Sequence, residues 1–512
     1  MTATDSAQPA RNPFARLYDA LVDPKRCERS MALLLVAYAI AWSVYGTIAK
    51  GSQDLHFDIG EMFAWSHEVG WSAPTHPPLG AWLARAWFAV MPVSDWSFYL
   101  LGIVVATVGL WIAWRLAGRY LPPEKRVVGI LLLTFLPFYN FHALKYNASS
   151  VLTPLWAATA WWFLLSFETR RTGWAALAGL GAAASMLGKY WSLFMLAGLA
   201  LGAVTDPRRA AYFRSPAPWV TMAVGALALV PHLNFIATHG FSTFQFAMTS
   251  HLTTLPEAVQ WSLYFLASVL GYMAPAIVLN TFVTFPSVAA VKDTLWPAAP
   301  TRRFFIIALT APFVLAAAVA VVVQARLDPL WSMSGMTLLP VVLLASPLLT
   351  AQRAAAIRFT ALAVLFPLLM VAISPAIAVI IHRNALQNNY GTHYQLIAQA
   401  VNKAWRQQTG APLRIVGSLR PVVDGTNPYF PSRPATYAIT STWRTPWIDE
   451  DRIKRDGIAI VCPEPEVACM QELHAYAARY GATVVEDVTL ARHYFGSVDK
   501  PVRYWIVIIP PR

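Results

Sequence analysis

The feature that most constrains this chain is a procession of long apolar runs joined by short connections. They lie at about 31–48, 97–117, 128–143, 149–167, 174–187, 191–205, 217–236, 260–283, 304–323, 334–350 and 355–381. In hydrocarbon no water is present to satisfy backbone N–H and C=O groups, so a run of this kind is stable only as a helix. A straight crossing takes roughly 20 residues, and several of these runs are shorter, so their boundaries are soft. Composition agrees: 57% of residues are hydrophobic and 13% charged. A soluble chain needs about a quarter of its residues charged to cover its surface. The 21 tryptophans suit side chains parked at membrane interfaces. The chain is expected to be a polytopic α-helical membrane protein of about eleven spans, followed by a soluble α/β domain.

A net charge of +13 would ordinarily raise nucleic acid as a partner. The cations instead occupy alternate short loops: Arg16, Lys25, Arg26 and Arg29, then Arg119, Lys125 and Arg126, then Arg170 and Arg171, then Arg208, Arg209 and Arg214, then Lys292, Arg302 and Arg303, then Arg353 and Arg358. That is a topology signal, which puts these loops and the N-terminus in the cytoplasm. The expected organisation is a cytoplasmic segment 1–30, a membrane region 31–381 whose first outer loop is 49–96, and a periplasmic domain 382–512. Met1 to Asn12 reads as disordered, and no small-residue cleavage site follows the first apolar run. The alternation holds only if the chain breaks into two helices at Gly188-Lys189 rather than kinking through it. In the tail, helices are expected at Tyr394–Gln408 and Met470–Tyr480, with strands at Leu413–Val416, Gly457–Val461, Thr483–Val488 and Val502–Ile509. Cys462 and Cys469 are either a disulfide, in an oxidising compartment, or two free thiols at a helix start.

The first outer loop is the most unusual segment. It carries Asp54, Asp58, Glu61 and Glu68 with His56, His67 and His76, and Lys50 is the one cation near the acids. Asp58 and Glu61 are three residues apart and share a face if helical. Such a pair can supply a general base or bind a divalent cation, or it can simply be a solvated acidic surface. In Thr75-His76-Pro77-Pro78 two prolines fix the backbone and hold His76 just above the bilayer, where an imidazole can meet a phosphate or a carboxylate. Lys145, Lys189 and Arg326 fall at outer ends of spans, where cations are scarce, and Arg85 is a weaker fourth case. Each alone can snorkel to headgroups. Three together suggest convergence on one anion, for which a lipid-linked phosphate lies at the right depth. His232 and His251 flank the loop after the seventh run, as acceptor contacts, metal ligands or satisfied polar groups at a helix end.

These fragments resemble one family. Asp58-x-x-Glu61, Trp65 and His76-Pro77-Pro78-Leu79-Gly80-Ala81-Trp82 are similar to the first periplasmic loop of bacterial family-39-type glycosyltransferases. These are GT-C enzymes related to protein O-mannosyltransferases and to the aminoarabinose transferase that modifies lipid A. Lys145-Tyr146-Asn147, Gly188-Lys189-Tyr190-Trp191, Pro231-His232-Leu233 and His239-Gly240-Phe241 fit the same resemblance. The chain is most similar to the alphaproteobacterial branch with the rhizobial core galacturonosyltransferases, over about residues 30–340.

The resemblance implies an inner-membrane enzyme that takes a sugar from a polyprenyl-phosphate donor. Asp58 would be the general base, with Glu61 as helper or alternative, and His76, Lys189, Arg326 and Lys145 would contact the donor phosphate. The acceptor would be lipopolysaccharide, lipid A, another lipid or a protein. One departure stands out: the aminoarabinose transferase has Glu-Lys before its two prolines and this chain has Thr75-His76, which makes a metal at that position doubtful. No strong metal motif is present, so a divalent cation remains an open cofactor. The competing class is a transporter or flippase of lipid-linked saccharides, which predicts mid-bilayer charges and an internal repeat.

Overall fold

The computed structural model describes residues 12–240, 242–386, 390–482 and 484–512. Of the segment read as disordered only Asn12 falls within them, and Thr483 and Phe241 lie outside. Among the described residues six helices are long and apolar enough to cross a membrane: Cys27–Ala49, Asp95–Ala117, Ala217–His239, Leu255–Thr284, Pro300–Val322 and Arg353–Arg383. A further apolar pair, Pro123–Leu133 and Pro137–Leu144, is bent by 82°, which fits either one broken span or a re-entrant loop. Pro137 explains the bend, because its ring bars the preceding residue from helical geometry, and Leu136 is extended at ψ 133°. The other four expected runs are helical but short: Leu152–Thr169, Thr172–Gly188, Ser192–Thr205 and Pro329–Leu344. The chain does break after Gly188: Lys189 is extended, at φ −165° and ψ 137°.

Small residues let these helices close. A Cβ on Gly179 would sit 2.5 Å from the carbonyl oxygen of Thr221, so Thr172–Gly188 and Ala217–His239 touch backbone to backbone there. Thr221 Oγ1 donates to the Ala175 carbonyl at 3.0 Å across the same seam. Leu227, Val230, Leu365 and Leu369, on two of these long apolar helices, are exposed. The first outer loop contains two helices of its own, Phe57–Glu68 and Leu79–Phe88.

The tail is an α/β domain. Five strands, β1 (Ile415–Ser418), β2 (Ala435–Ala438), β3 (Ile458–Pro463), β4 (Val484–Leu490) and β7 (Val502–Ile509), form a mixed sheet ordered β2-β1-β3-β7-β4. β5 (His493–Tyr494) and β6 (Ser497–Val498) make a separate hairpin. Side chains alternate across the sheet. Ala459 and Val461 join the helix Tyr394–Gln408 on one face, while Ile458, Ile460 and Cys462 pack with the helix Val467–Tyr480 on the other. Cys462 and Cys469 form a disulfide at a Cα separation of 5.6 Å. Sequence periodicity did not reveal β2 or the short helix Arg420–Thr426.

Candidate functional site

The helix Phe57–Glu68 starts under a histidine cap, with Nδ1 of His56 accepting from the Asp58 backbone N–H at 3.1 Å. Glu61 and Glu68 are seven residues apart, two helical turns, and so point the same way. Both meet the C-terminal domain. Arg420 grips Oε1 of Glu61 through Nη2 at 2.5 Å and Nε at 3.1 Å. Arg452 holds both oxygens of Glu68, at 3.0 and 3.1 Å. Ahead of the helix, the buried Asp54 pairs with Arg492 and accepts from the Gln395 N–H at 3.3 Å. The backbone closes on the same seam: a Cβ on Gly60 would sit 2.0 Å from the Asp424 carbonyl oxygen.

Asp58 is the exception. Three residues before Glu61, it is rotated by about 60° around the helix. Its Oδ2 faces Nζ of Lys145 at 3.2 Å, and both side chains remain 23% exposed. Glu61 is 4% exposed by the same measure. Burial alone would raise the Asp58 pKa. Lys145 first, then His56 and Arg420, more than reverse this and bring the carboxyl down to about 2. Burial pushes Glu61 up against the pull of Arg420. It pushes Asp424, which shares Arg420 at 3.5 Å, well above the carboxylate range. Asp58 is thus an ionised, partly exposed carboxylate paired with Lys145, while Glu61 belongs to a buried pair.

Lys189, set in the break after Gly188, donates from Nζ to Ser149 Oγ at 3.1 Å and lies 4.6 Å from the centre of the Trp331 ring. His76 is half-buried between Trp65 and Phe246, with ring centres 6.1 and 6.2 Å away. Burial and the neighbouring Lys189 lower its pKa to about 3, so it is neutral near pH 7. Asp58, Glu61, His76, Lys145 and Lys189 therefore gather at one place. Arg326 stands to the side. Its backbone N–H donates to the His251 carbonyl at 2.7 Å and its guanidinium covers Trp261 at 3.8 Å. The His251 ring packs edge-on to Trp331 at 4.9 Å. His232 is fully engaged: Nδ1–H donates to the Trp71 carbonyl at 2.6 Å and Nε2 takes the Tyr190 hydroxyl at 2.8 Å. Arg85 is exposed.

Within this cluster Asp58 and Glu61 pair directly with different cations, Lys145 and Arg420. Among the described residues no group of three or more His, Cys, Asp or Glu side chains is placed to hold a metal ion. The donor set at this site is cationic and suits an anion.

The sequence profile of the family described as "Dolichyl-phosphate-mannose-protein mannosyltransferase" matches residues 75–235. The lipid A galacturonosyltransferase RgtD of Rhizobium johnstonii is 23% identical over 253 residues, 49% of this chain and 52% of its own. The chain thus spans about half the length of that curated relative. The crystal structure of ArnT from Cupriavidus metallidurans bound to undecaprenyl phosphate superposes with a TM-score of 0.61, at 12% identity, over 93% of this chain and 97% of that one. Its apo state gives 0.59 at 13% identity over the same shares.

The fold is the GT-C fold.

The resemblance carried by the loop motifs holds at this level: the chain is aminoarabinose-transferase-like in architecture and has a rhizobial galacturonosyltransferase among its relatives. The profile begins at Thr75, so its match excludes Asp58 and the whole C-terminal domain. Arg420, Arg444 and Asp424, which face Glu61 and His76 from that domain, carried no signal in the periodicity of the tail. The available hint was Gly60, an unbranched position inside an acidic helix, which marks close backbone approach.

Proposed function

We propose that the protein is an inner-membrane glycosyltransferase that moves a sugar from a polyprenyl-phosphate donor to a lipid acceptor of the outer leaflet, of the lipopolysaccharide or lipid A class. The observation that carries this reading is the isolation of Asp58. It is the one acid of the loop that is left to the membrane region, partly open and opposite a lysine. In this reading Asp58 takes the proton of the acceptor hydroxyl as that oxygen attacks the anomeric carbon. The bond from that carbon to the phosphate oxygen breaks, and the polyprenyl phosphate leaves with a second negative charge. Lys145 and Lys189 stabilise the growing charge. A carboxylate lowered to about 2 is a weak base at rest. A bound phosphodiester would draw Lys145 away electrostatically and raise it toward a useful range. Neutral His76 would orient an oxygen by hydrogen bonding. One carboxylate and one displacement imply inversion at the anomeric carbon.

The likeness to ArnT, a protein whose crystal structure holds undecaprenyl phosphate, and to RgtD, named for lipid A, supports the donor and acceptor classes. The positive loops and the grip of the tail on the first outer loop support a cytoplasmic N-terminus and a periplasmic C-terminal domain. A flippase fits less well, because the ionisable residues of the site gather at the outer ends of the helices.

The test is transfer from labelled undecaprenyl-phosphate sugars in membranes. Asp58→Asn should reduce turnover by about a thousandfold, while the amount of folded protein is unchanged. Full activity in both Asp58→Asn and Glu61→Gln sinks the assignment. Mass spectrometry of lipids from cells with and without the protein would name the sugar added.

A further inference from the structure

Four arginines of the C-terminal domain are turned toward the loop or the site. Arg420, Arg452 and Arg492 each hold a loop acid. Arg444 does not. Its guanidinium lies 4.6 Å from the centre of the Trp443 ring and 5.1 Å from that of Phe246, and it forms no direct ion pair among the described residues, although Glu61 and Asp424 act on it from farther away. Yet Arg444 is not a solvated surface group, being only partly exposed. Phe246 also meets His76 edge-on, with ring centres 6.2 Å apart, so one aromatic ring separates this guanidinium from the half-buried imidazole of the site. Lys189 is the next cation beyond His76. The nearest acids, Glu61 and Asp424, are already committed to Arg420.

A guanidinium held on aromatic rings, desolvated in part and in direct ion-pair contact with no carboxylate among the described residues, is a poor structural device and a good receptor for a planar or tetrahedral oxyanion. Resting on the glycosyltransferase reading above, we propose that Arg444 forms a second anion subsite, separate from the lysines at Asp58, that takes a carboxylate or phosphate carried by a substrate. The charge has two possible sources: a uronic acid being transferred, or a phosphorylated sugar of the acceptor headgroup. Arg444 enters from the domain that sequence periodicity left without a role, so the tail selects substrate as well as covering the cavity.

The full-length protein in nanodiscs can be tested by calorimetric titration with four probes: undecaprenyl phosphate, galacturonate, glucosamine 1-phosphate and neutral galactose. The expected result is that one of the two acids binds the wild type and galactose does not. Arg444→Gln should weaken that acid about tenfold, equivalent to about 1.4 kcal/mol. Arg444→Lys should recover part of the loss, and undecaprenyl phosphate should change by less than about twofold. Preference for galacturonate puts the charge on the transferred sugar, and preference for glucosamine 1-phosphate puts it on the acceptor. The proposal is overturned if neither acid binds the wild type, if Arg444→Gln binds both acids as the wild type does, or if undecaprenyl phosphate weakens in parallel. Absence of undecaprenyl phosphate binding in the wild type would count instead against the glycosyltransferase reading.

Discussion

Two faces of one short helix divide the work of the first outer loop. On the face that meets the C-terminal domain, Glu61 and Glu68 are locked to Arg420 and Arg452, with Asp54 and Arg492 extending the seam. On the face that meets the membrane region, Asp58 pairs with Lys145 at 3.2 Å, and both side chains stay partly exposed. The acids are chemically alike and lie within fifteen residues of each other. Their surroundings separate them. A carboxylate whose oxygens are occupied by a guanidinium cannot accept a proton without breaking that contact. One that remains partly exposed beside an ammonium can. In the proposed reading three acids build the architecture and the fourth, Asp58, carries the reactivity.

The sharpest way to break this contrast is on the open face. Lys145→Met should cut turnover by about 10²–10³-fold, the loss typical of one group that stabilises developing charge. It should also change the pH profile. The Asp58 pKa lies below the ordinary carboxylate range, so its ionised form, and the stability from its pairing, is complete above that range and is lost as pH falls through about 2. In the wild type the acid limb of kcat/KM therefore does not come from Asp58. Without Lys145, burial is less well opposed and the limb should move up toward the ordinary range or beyond. An unmoved acid limb would separate Lys145 from Asp58.

On the gripped face the effect should appear in stability. Glu61→Gln leaves Arg420 in a buried place with a weaker partner and Asp424 as its remaining acid. Breaking one side of such a pair costs about 3 kcal/mol. The expected outcome is a Tm in detergent lower by several degrees and a protein more readily cleaved between membrane region and tail. A double change, Glu61→Leu with Arg420→Leu, should restore much of the Tm. If Glu61→Gln instead removed turnover and left Tm intact, Glu61 would be the base and the division of the helix would be reversed.

Much of the membrane architecture was legible because lipid imposes a single rule on the backbone: each of the eleven apolar runs contains helix, although only six of the helices among the described residues are long and apolar enough to cross a membrane unbroken. The break at Gly188 was read from loop charges and is present, and Leu136-Pro137 bends one apolar run for a local reason. Asp58, His76, Lys145 and Lys189 could be singled out because charge at the membrane surface is conspicuous. Arg326 looked the same in sequence and lies on Trp261 instead, since a cation at a helix end has several ways to be satisfied. The arginines of the tail were illegible for the opposite reason. In a soluble domain an arginine is ordinary, and only the fold brings Arg420 and Arg444 against a loop more than 350 residues earlier in the chain. The pairing of Asp58 and Glu61 as one face was half right: the spacing puts them close, but about 60° of rotation is enough to give them different partners.

The mildest test lies at the far end of the helix. Glu68 and Arg452 form two hydrogen bonds, but their side chains are 18% and 23% exposed, so water can replace much of what a substitution removes. Arg452 also keeps a hydrogen bond to the Trp447 carbonyl at 3.1 Å and lies 3.6 Å from Asp456, so it is not left without company. Glu68→Gln should accordingly cost about 1 kcal/mol or less, lower Tm by a degree or two, and leave turnover within about twofold. The same substitution at Glu61 is expected to be several times more damaging, although both glutamates face the same domain from the same side of the helix. That ratio measures burial together with the partners each arginine keeps. Equal losses at the two positions would mean that the seam is held uniformly along its length, and that Glu61 is set apart by its closeness to Asp58 rather than by its depth.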